Sequence, residues 1–115
     1  MAFSEFEVKR HEKLIANYLA EKRPPLHIRQ ELDINCRIEN QSVIIYEIRP
    51  RWDDSSIINE ILVAKTTYVR SQNIWKIYWL RQNLKWRSYQ PMPAVRLLES
   101  FFEVVEQDEF GCFWG

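Results

Sequence analysis

A chain of 115 residues with sixteen basic and sixteen acidic side chains, formally neutral at pH 7, is long enough for one hydrophobic core and too short for two ordinary domains. Its 46% hydrophobic and 14% aromatic content excludes the charged, aromatic-poor composition of a disordered chain. No apolar run approaches the roughly 18 residues needed to span a bilayer, and charges interrupt the start, MAFSEFEVKRHEK, where a signal peptide would need its apolar stretch. The expectation is one cytoplasmic domain over residues 1–115 with no membrane partner.

The first element is a helix over about residues 4–22. Ser4 and Glu7 have the spacing of a capping box, Phe6, Leu14, Ile15, Tyr18 and Leu19 recur at helical intervals, and Pro24-Pro25 forbids continuation. LDINCRIE then alternates, with Leu32, Ile34, Cys36 and Ile38 on one face, as a half-buried strand does. VIIYEIRP follows, and a three-residue loop at 40–42 would pair Ile38 with Ile44, Cys36 with Tyr46 and Ile34 with Ile48, apolar beside apolar. A two-residue loop would set Ile34 opposite Glu47, so the odd length is expected. In that register Tyr46, Ile48, Pro50 and Trp52 continue the buried phase, while Glu47, Arg49 and Arg51 share the other face. Pro50 marks a strand edge or end, and Asp53-Asp54-Ser55-Ser56 reads as a turn or helix cap.

INEILVAKTTYVR and NIWKIYWLR, separated by Ser-Gln-Asn, form a second expected hairpin, and LKWRSYQ adds an extended segment. Pro93 near a first helical position, followed by Val95, Leu98, Phe101, Phe102 and Val105, gives a closing amphipathic helix. The apolar tail EFGCFWG is expected to dock back on the body. The fold class is therefore α+β: an N-terminal helix, a four- to five-stranded antiparallel sheet of hairpins and a C-terminal helix, both helices on one sheet face. The only glycines lie in the last five residues, so turns that need positive φ must fall on Asn, Asp or other residues.

The residues also constrain chemistry. Cys36 and Cys112 have no metal-ligand spacing, and His11-Glu12 opens like a zinc-binding helix but has Ile15 where the second histidine belongs. No metal and no cofactor is expected. The densest polar motif, YEIRPRWDDSS, offers Glu47, Arg49, Arg51, Trp52, Asp53 and Asp54 as site candidates. With Glu60 and Lys65 its carboxylates loosely match the set with which metal-dependent nucleases hold a cation. Val63, however, stands where that pattern wants a carboxylate, and regular alternation puts Glu60 and Lys65 on opposite faces. There is no glycine-rich phosphate loop or nucleophile elbow either, so an enzyme is not the favoured reading.

Charge is strongly uneven along the chain. Between Ile61 and Leu98 there is no acid, while Lys65, Arg70, Lys76, Arg81, Lys85, Arg87 and Arg96 supply seven positive charges; five acids then follow without a base. Interleaved with Trp75, Tyr78, Trp79, Trp86 and Tyr89, the stretch 65–96 is what a nucleic-acid surface could use, and Arg70, Lys76, Arg81, Lys85, Trp86, Arg87 and Tyr89 are its candidates. The competing expectation is that the acids of the closing helix lie beside this strip and cancel it.

MAFSEFEVKR, the RPP of residues 23–25, EIRPRWDD, LKWRSYQP and the final GCFWG, in this order, resemble a family of small bacterial proteins known as domain of unknown function 3024, over nearly the whole chain. That resemblance implies a stand-alone bacterial protein and supplies no activity, cofactor or site residue. The expectation is a small binding or interaction protein, homo-oligomeric with a dimer favoured, whose surplus aromatics and strand edges meet a second copy or another protein partner. Nucleic-acid binding and a nuclease-like enzyme stand as alternatives.

Overall fold

The computed structural model describes residues 2–115 and comprises α1 (Glu5–Lys22), β1 (Asp33–Glu39), β2 (Ser42–Pro50), β3 (Ile58–Val69), β4 (Ile74–Leu80), β5 (Trp86–Ser88), β6 (Ala94–Val95) and α2 (Leu98–Gln107). α1 starts as its sequence dictates: the Ser4 hydroxyl accepts from the Glu7 amide at 3.2 Å and the Glu7 carboxylate from the Ser4 amide at 3.0 Å. It stops at Arg23, which is extended (φ −60°, ψ 137°) because the following proline crowds a helical conformation there. The Arg23 guanidinium then grips the Asp33 carboxylate through two hydrogen bonds of 2.9 and 2.6 Å, tying the helix exit to the first strand.

The strands form one antiparallel sheet in the order β1-β2-β3-β4-β5, each paired with its chain neighbour. β6 returns to β4 on the edge that β5 also uses: β5 pairs with Tyr78–Leu80, β6 with Trp75–Lys76. Ile77 bridges the two pieces, its carbonyl accepting from the Tyr89 amide at 2.9 Å and its amide donating to the Pro93 carbonyl at 3.0 Å. Pro93 therefore precedes a strand and not a helix. α2 begins only at Leu98, because the backbone groups of Ala94 and Val95 are taken by β4 and cannot join a helix.

Both helices lie on one face of the sheet. Phe3 and Ile15 from the N-terminal end and Leu98, Phe101, Phe102 and Val105 from α2 share a core with Ile34, Val43, Ile45, Val63, Ala64, Trp75 and Ile77. Phe6, which the helical spacing places with them, is exposed, and Phe3, just before the cap, is buried instead. Tyr18 stacks on Phe102 at 4.3 Å and donates its hydroxyl to Glu106 at 2.7 Å, joining the helices. The tail packs back as expected. Asp108, left-handed at the end of α2, accepts the Phe113 and Trp114 amides at 3.0 and 2.8 Å, and Phe113 lies on Tyr89. Among the described residues no helix is long and apolar enough to cross a membrane.

The β1–β2 register departs from the sequence reading. Glu39 pairs with Ser42 around a two-residue Asn40-Gln41 turn, so Ile38 meets Val43, Cys36 meets Ile45 and Ile34 meets Glu47. Asn40 takes φ 53°, a left-handed conformation that Asn tolerates and that lets so short a turn close. Tyr46 and Ile48 thus face away from the helices. The scarcity of glycine shows in the other turns as well: Asn73, Leu84 and Asp108 also have positive φ. Leu84, at the β4–β5 turn and 77% exposed, is the costly one, since a bulky side chain in this region is strained and nothing packs around it in return. Leu84→Asn should raise stability by roughly 1 kcal/mol, read as a higher urea midpoint at unchanged slope; an unchanged or lower midpoint would show that the turn carries no such strain.

Candidate functional site

The EIRPRWDD motif sits at the far end of the sheet. β2 and β3 run past the end of β1, and residues 51–57 close their hairpin through the Arg51 amide to Ile57 carbonyl bond (2.8 Å) and the Ile57 amide to Asp54 carbonyl bond (3.1 Å). Trp52 is 96% exposed, which reverses the expectation that it anchors the strand. The reason is the register: the phase that carries Tyr46 toward Trp52 lies on the helix-free face, and the sheet ends before Trp52. Trp52→Ala should therefore shift stability by no more than about 0.5 kcal/mol, and a loss of several kcal/mol in chemical denaturation would refute the exposed placement.

The carboxylates of this hairpin do not converge. Glu47 holds Arg49 at 3.0 Å, Asp53 is gripped by the Arg51 guanidinium (Nε to Oδ1 2.7 Å), Asp54 accepts from the Ser56 amide and hydroxyl, and Glu60 holds Arg37 at 2.8 Å. Hydrogen bonding to Arg51 and to Ser56 lowers the Asp53 and Asp54 pKa values respectively, so both are ionised and locally satisfied. Among the described residues no group of three His, Cys, Asp or Glu side chains is placed to hold a metal ion. One detail runs against the regular alternation. A bulge at Val63 lets Tyr46 pair with Leu62 while Ile45 pairs with Ala64, so Glu60 and Lys65 fall on the same face after all.

That face, opposite the helices, holds three cation–ring pairs. Register aligns Arg37, Ile44, Lys65, Tyr78 and Ser88 in one row across five strands, and Glu39, Ser42, Thr67, Lys76 and Ala94 in the next. The Arg37 guanidinium lies 4.9 Å from the Tyr46 ring centroid. The Lys65 ammonium lies 5.1 Å from Tyr78 and 5.3 Å from Trp86. Ile44 and Tyr46 are buried although no helix covers them: Ile44 stands between Arg37 and Lys65 on the neighbouring strands, and the Arg37 guanidinium lies over the Tyr46 ring.

The two halves of this face differ in charge. On the β1 side Arg37 is balanced by Glu39 (3.1 Å) and Glu60 (2.8 Å). On the β3–β5 side Lys65 and Lys76 hold no ion pair among the described residues; Lys85, whose carbonyl accepts from the Arg81 amide in the adjoining turn, holds none either. Of the acids that follow Arg96, Glu106 pairs with Lys22 at 3.2 Å and Asp108 is engaged by the tail amides, and none holds an ion pair with Lys65 or Lys76 among the described residues.

The sheet divides the seven residues that the sequence offers for nucleic acid. Lys76 and Trp86 lie on the open face. Arg87, opposite Trp79, and Arg81 lie toward the helix side, where with Tyr89, Pro91 and Cys112 they line a groove of about 320 Å³. Tyr89 is 2% exposed and belongs to the core. Arg70 is spent on Glu7 in a bidentate pair of 3.0 and 3.1 Å. Lys65 and Tyr78, the centre of the open face, are not among the seven; they meet through the β3–β4 hairpin register, which runs unbroken from Val69 opposite Ile74.

Arg70, with the Ser4 amide next, holds the Glu7 carboxyl down at about 2 from an ordinary 4.5. A depressed carboxyl pKa stabilises the fold above the unfolded value and loses that contribution as pH falls. Stability should thus decline between pH 4.5 and about 2, and Glu7→Gln should flatten that part of a pH–stability curve; an unaltered acid limb would show that the pair is not formed in solution.

A family model described as "Domain of unknown function (DUF3024)" matches residues 3–115, and the chain belongs to that family. No curated protein and no solved structure matches the chain at a significant level.

Proposed function

We propose that this member of the family is a binding protein that takes single-stranded nucleic acid on the β3–β5 half of its open sheet face. The observation that carries this reading is the Lys65 ammonium held between Tyr78 and Trp86, beside Lys76 and without an acidic partner among the described residues. Exposed cations neutralise phosphates, and flat rings accept bases whatever their sequence. A duplex is the poorer fit, because its bases are stacked internally and the rings would have nothing to receive.

Binding should fall steeply with salt as counterions are released. Exchanging Lys65 and Lys76 together for Gln should lower the slope of log affinity against log salt by roughly one to two, since each phosphate neutralised on a single strand adds about 0.7 to it. Arg81→Gln with Arg87→Gln, on the other side of the sheet, should change it less. Fluorescence polarisation with a labelled oligonucleotide reads both. No binding at low salt, or equal weakening by the two double variants, would sink this placement. A doubling of mass in sedimentation that the Lys65/Lys76 variant abolishes would assign the face to a second copy of the chain.

A further inference from the structure

A separate cavity of about 420 Å³ lies where α1, the β3–β4 end of the sheet and the start of α2 meet, on the helix side. Its wall is aromatic, with Tyr68 and Trp75 at 5.0 Å between ring centroids. His11 projects from α1 into this junction, edge-on to Trp75 at 5.1 Å and to Phe3 at 4.6 Å. The residue is only 6% exposed, Nδ1 is sealed from solvent without a partner, and neither ring nitrogen has a hydrogen bond among the described residues. Nδ1, sealed from solvent, is also out of a ligand's reach, so Nε2 is the nitrogen through which this otherwise unbonded imidazole can meet a partner in the cavity. Burial, and Arg10 after it, holds its pKa below 6.5, which leaves a neutral ring with one donor and one acceptor nitrogen.

The start of α2 meets the same cavity in an equally unfinished state. Its N-cap is Leu97, which has no side-chain oxygen to offer, and no side chain caps the first turn. The amides of Leu98 and Glu99 have no hydrogen-bond partner among the described residues. Arg10 and Arg96 also line the cavity, and neither holds an ion pair among the described residues. Of the two acids there, Glu7 is committed to Arg70, so two cations face the single free carboxylate of Glu99 and leave an excess of one positive charge. The lining thus combines unmatched donors from α1 and the start of α2 with the flat apolar surface of Tyr68 and Trp75.

We propose that this cavity binds a small organic anion, an oxyanion group attached to a flat apolar body. The oxyanion sits at the first-turn amides of α2 with Arg96 and Arg10, the body lies against Trp75 and Tyr68, and His11 completes the ligand's hydrogen bonding.

The chain has two histidines, so the imidazole C–H signals test this directly, with exposed His27 as the internal control. Phenyl phosphate and benzoate distinguish a phosphate from a carboxylate head, and inorganic phosphate lacks the apolar body. Expected is a saturable shift of the His11 signals with at least one aryl probe, weaker binding of inorganic phosphate and no movement of His27. Arg96→Gln should weaken the aryl probe about tenfold, as expected for removing one charge-assisted hydrogen bond. Leu97→Asp, at an exposed position, should compete for the same amides, so that affinity falls while the melting temperature rises. His11 signals unmoved by all three probes at ~10 mM, both histidines moving together, or affinity untouched by both variants would overturn the proposal; inorganic phosphate binding as well as the aryl probes would overturn its apolar half.

Discussion

Which side chains of this sheet meet the helices, and which are left to the other side, is decided at two backbone positions: the left-handed Asn40 and the bulge at Val63. The Asn40-Gln41 turn sets Val43 and Ile45 against Ile38 and Cys36, under α1, and sends Ile44 and Tyr46 to the far side. A one-residue slip would exchange these pairs, because the side-chain period of a strand is two. The bulge then resets β3, so that Ala64 and Thr66 stay in the core while Leu62 and Glu60 join the face that holds Lys65. Thr66, fully buried, is tolerated there because its hydroxyl donates to the Lys76 carbonyl at 2.8 Å. The composition of both faces follows from these two irregularities.

Much of the fold is legible from residue types, and the failures have local causes. The Ser4–Glu7 box, Pro24-Pro25, the alternation of β1 and the lack of internal glycine each act through neighbours in sequence, and each has the structural outcome its chemistry predicts. Val43-Ile44-Ile45-Tyr46 is apolar in both phases, so alternation cannot choose between registers, and pairing apolar beside apolar favours the wrong one. The misplacement of Trp52 is the same error carried six residues onward. Pro93 reads as a helix start because nothing near it in sequence reveals that Ala94 and Val95 pair with Trp75 and Lys76, an arrangement made by tertiary structure alone. The candidate site divides in the same way: the acid-free stretch 61–98 is visible, but its distribution over two faces depends on the β3–β4 and β4–β5 registers, and Arg70 is withdrawn from it by Glu7, 63 residues away.

The helix-free side of the sheet also shows how an apolar surface can remain wet on one side. Arg37 lies over Tyr46 and Lys65 over Tyr78, so charged groups stand above the rings of this face. At the outer edge of β1, the Asp33 and Asn35 side chains accept the amides of Ile34 and Cys36 at 2.8 Å each, which occupies donors that a neighbouring strand would otherwise use. The Cys36 thiol, half-buried and pushed up to about 12 by desolvation, is protonated at neutral pH.

The neighbour-to-neighbour strand order has a kinetic meaning. Each hairpin of the sheet closes a loop of only a few residues, which costs little chain entropy and is fast. The meeting of α1 with α2 is of another kind: the Tyr18–Glu106 bond joins residues 88 apart, and no strand of the meander brings them together in passing. The sheet can therefore assemble as a nearly local object, whereas seating the two helices side by side across it is the step that waits on the diffusion of almost the whole chain.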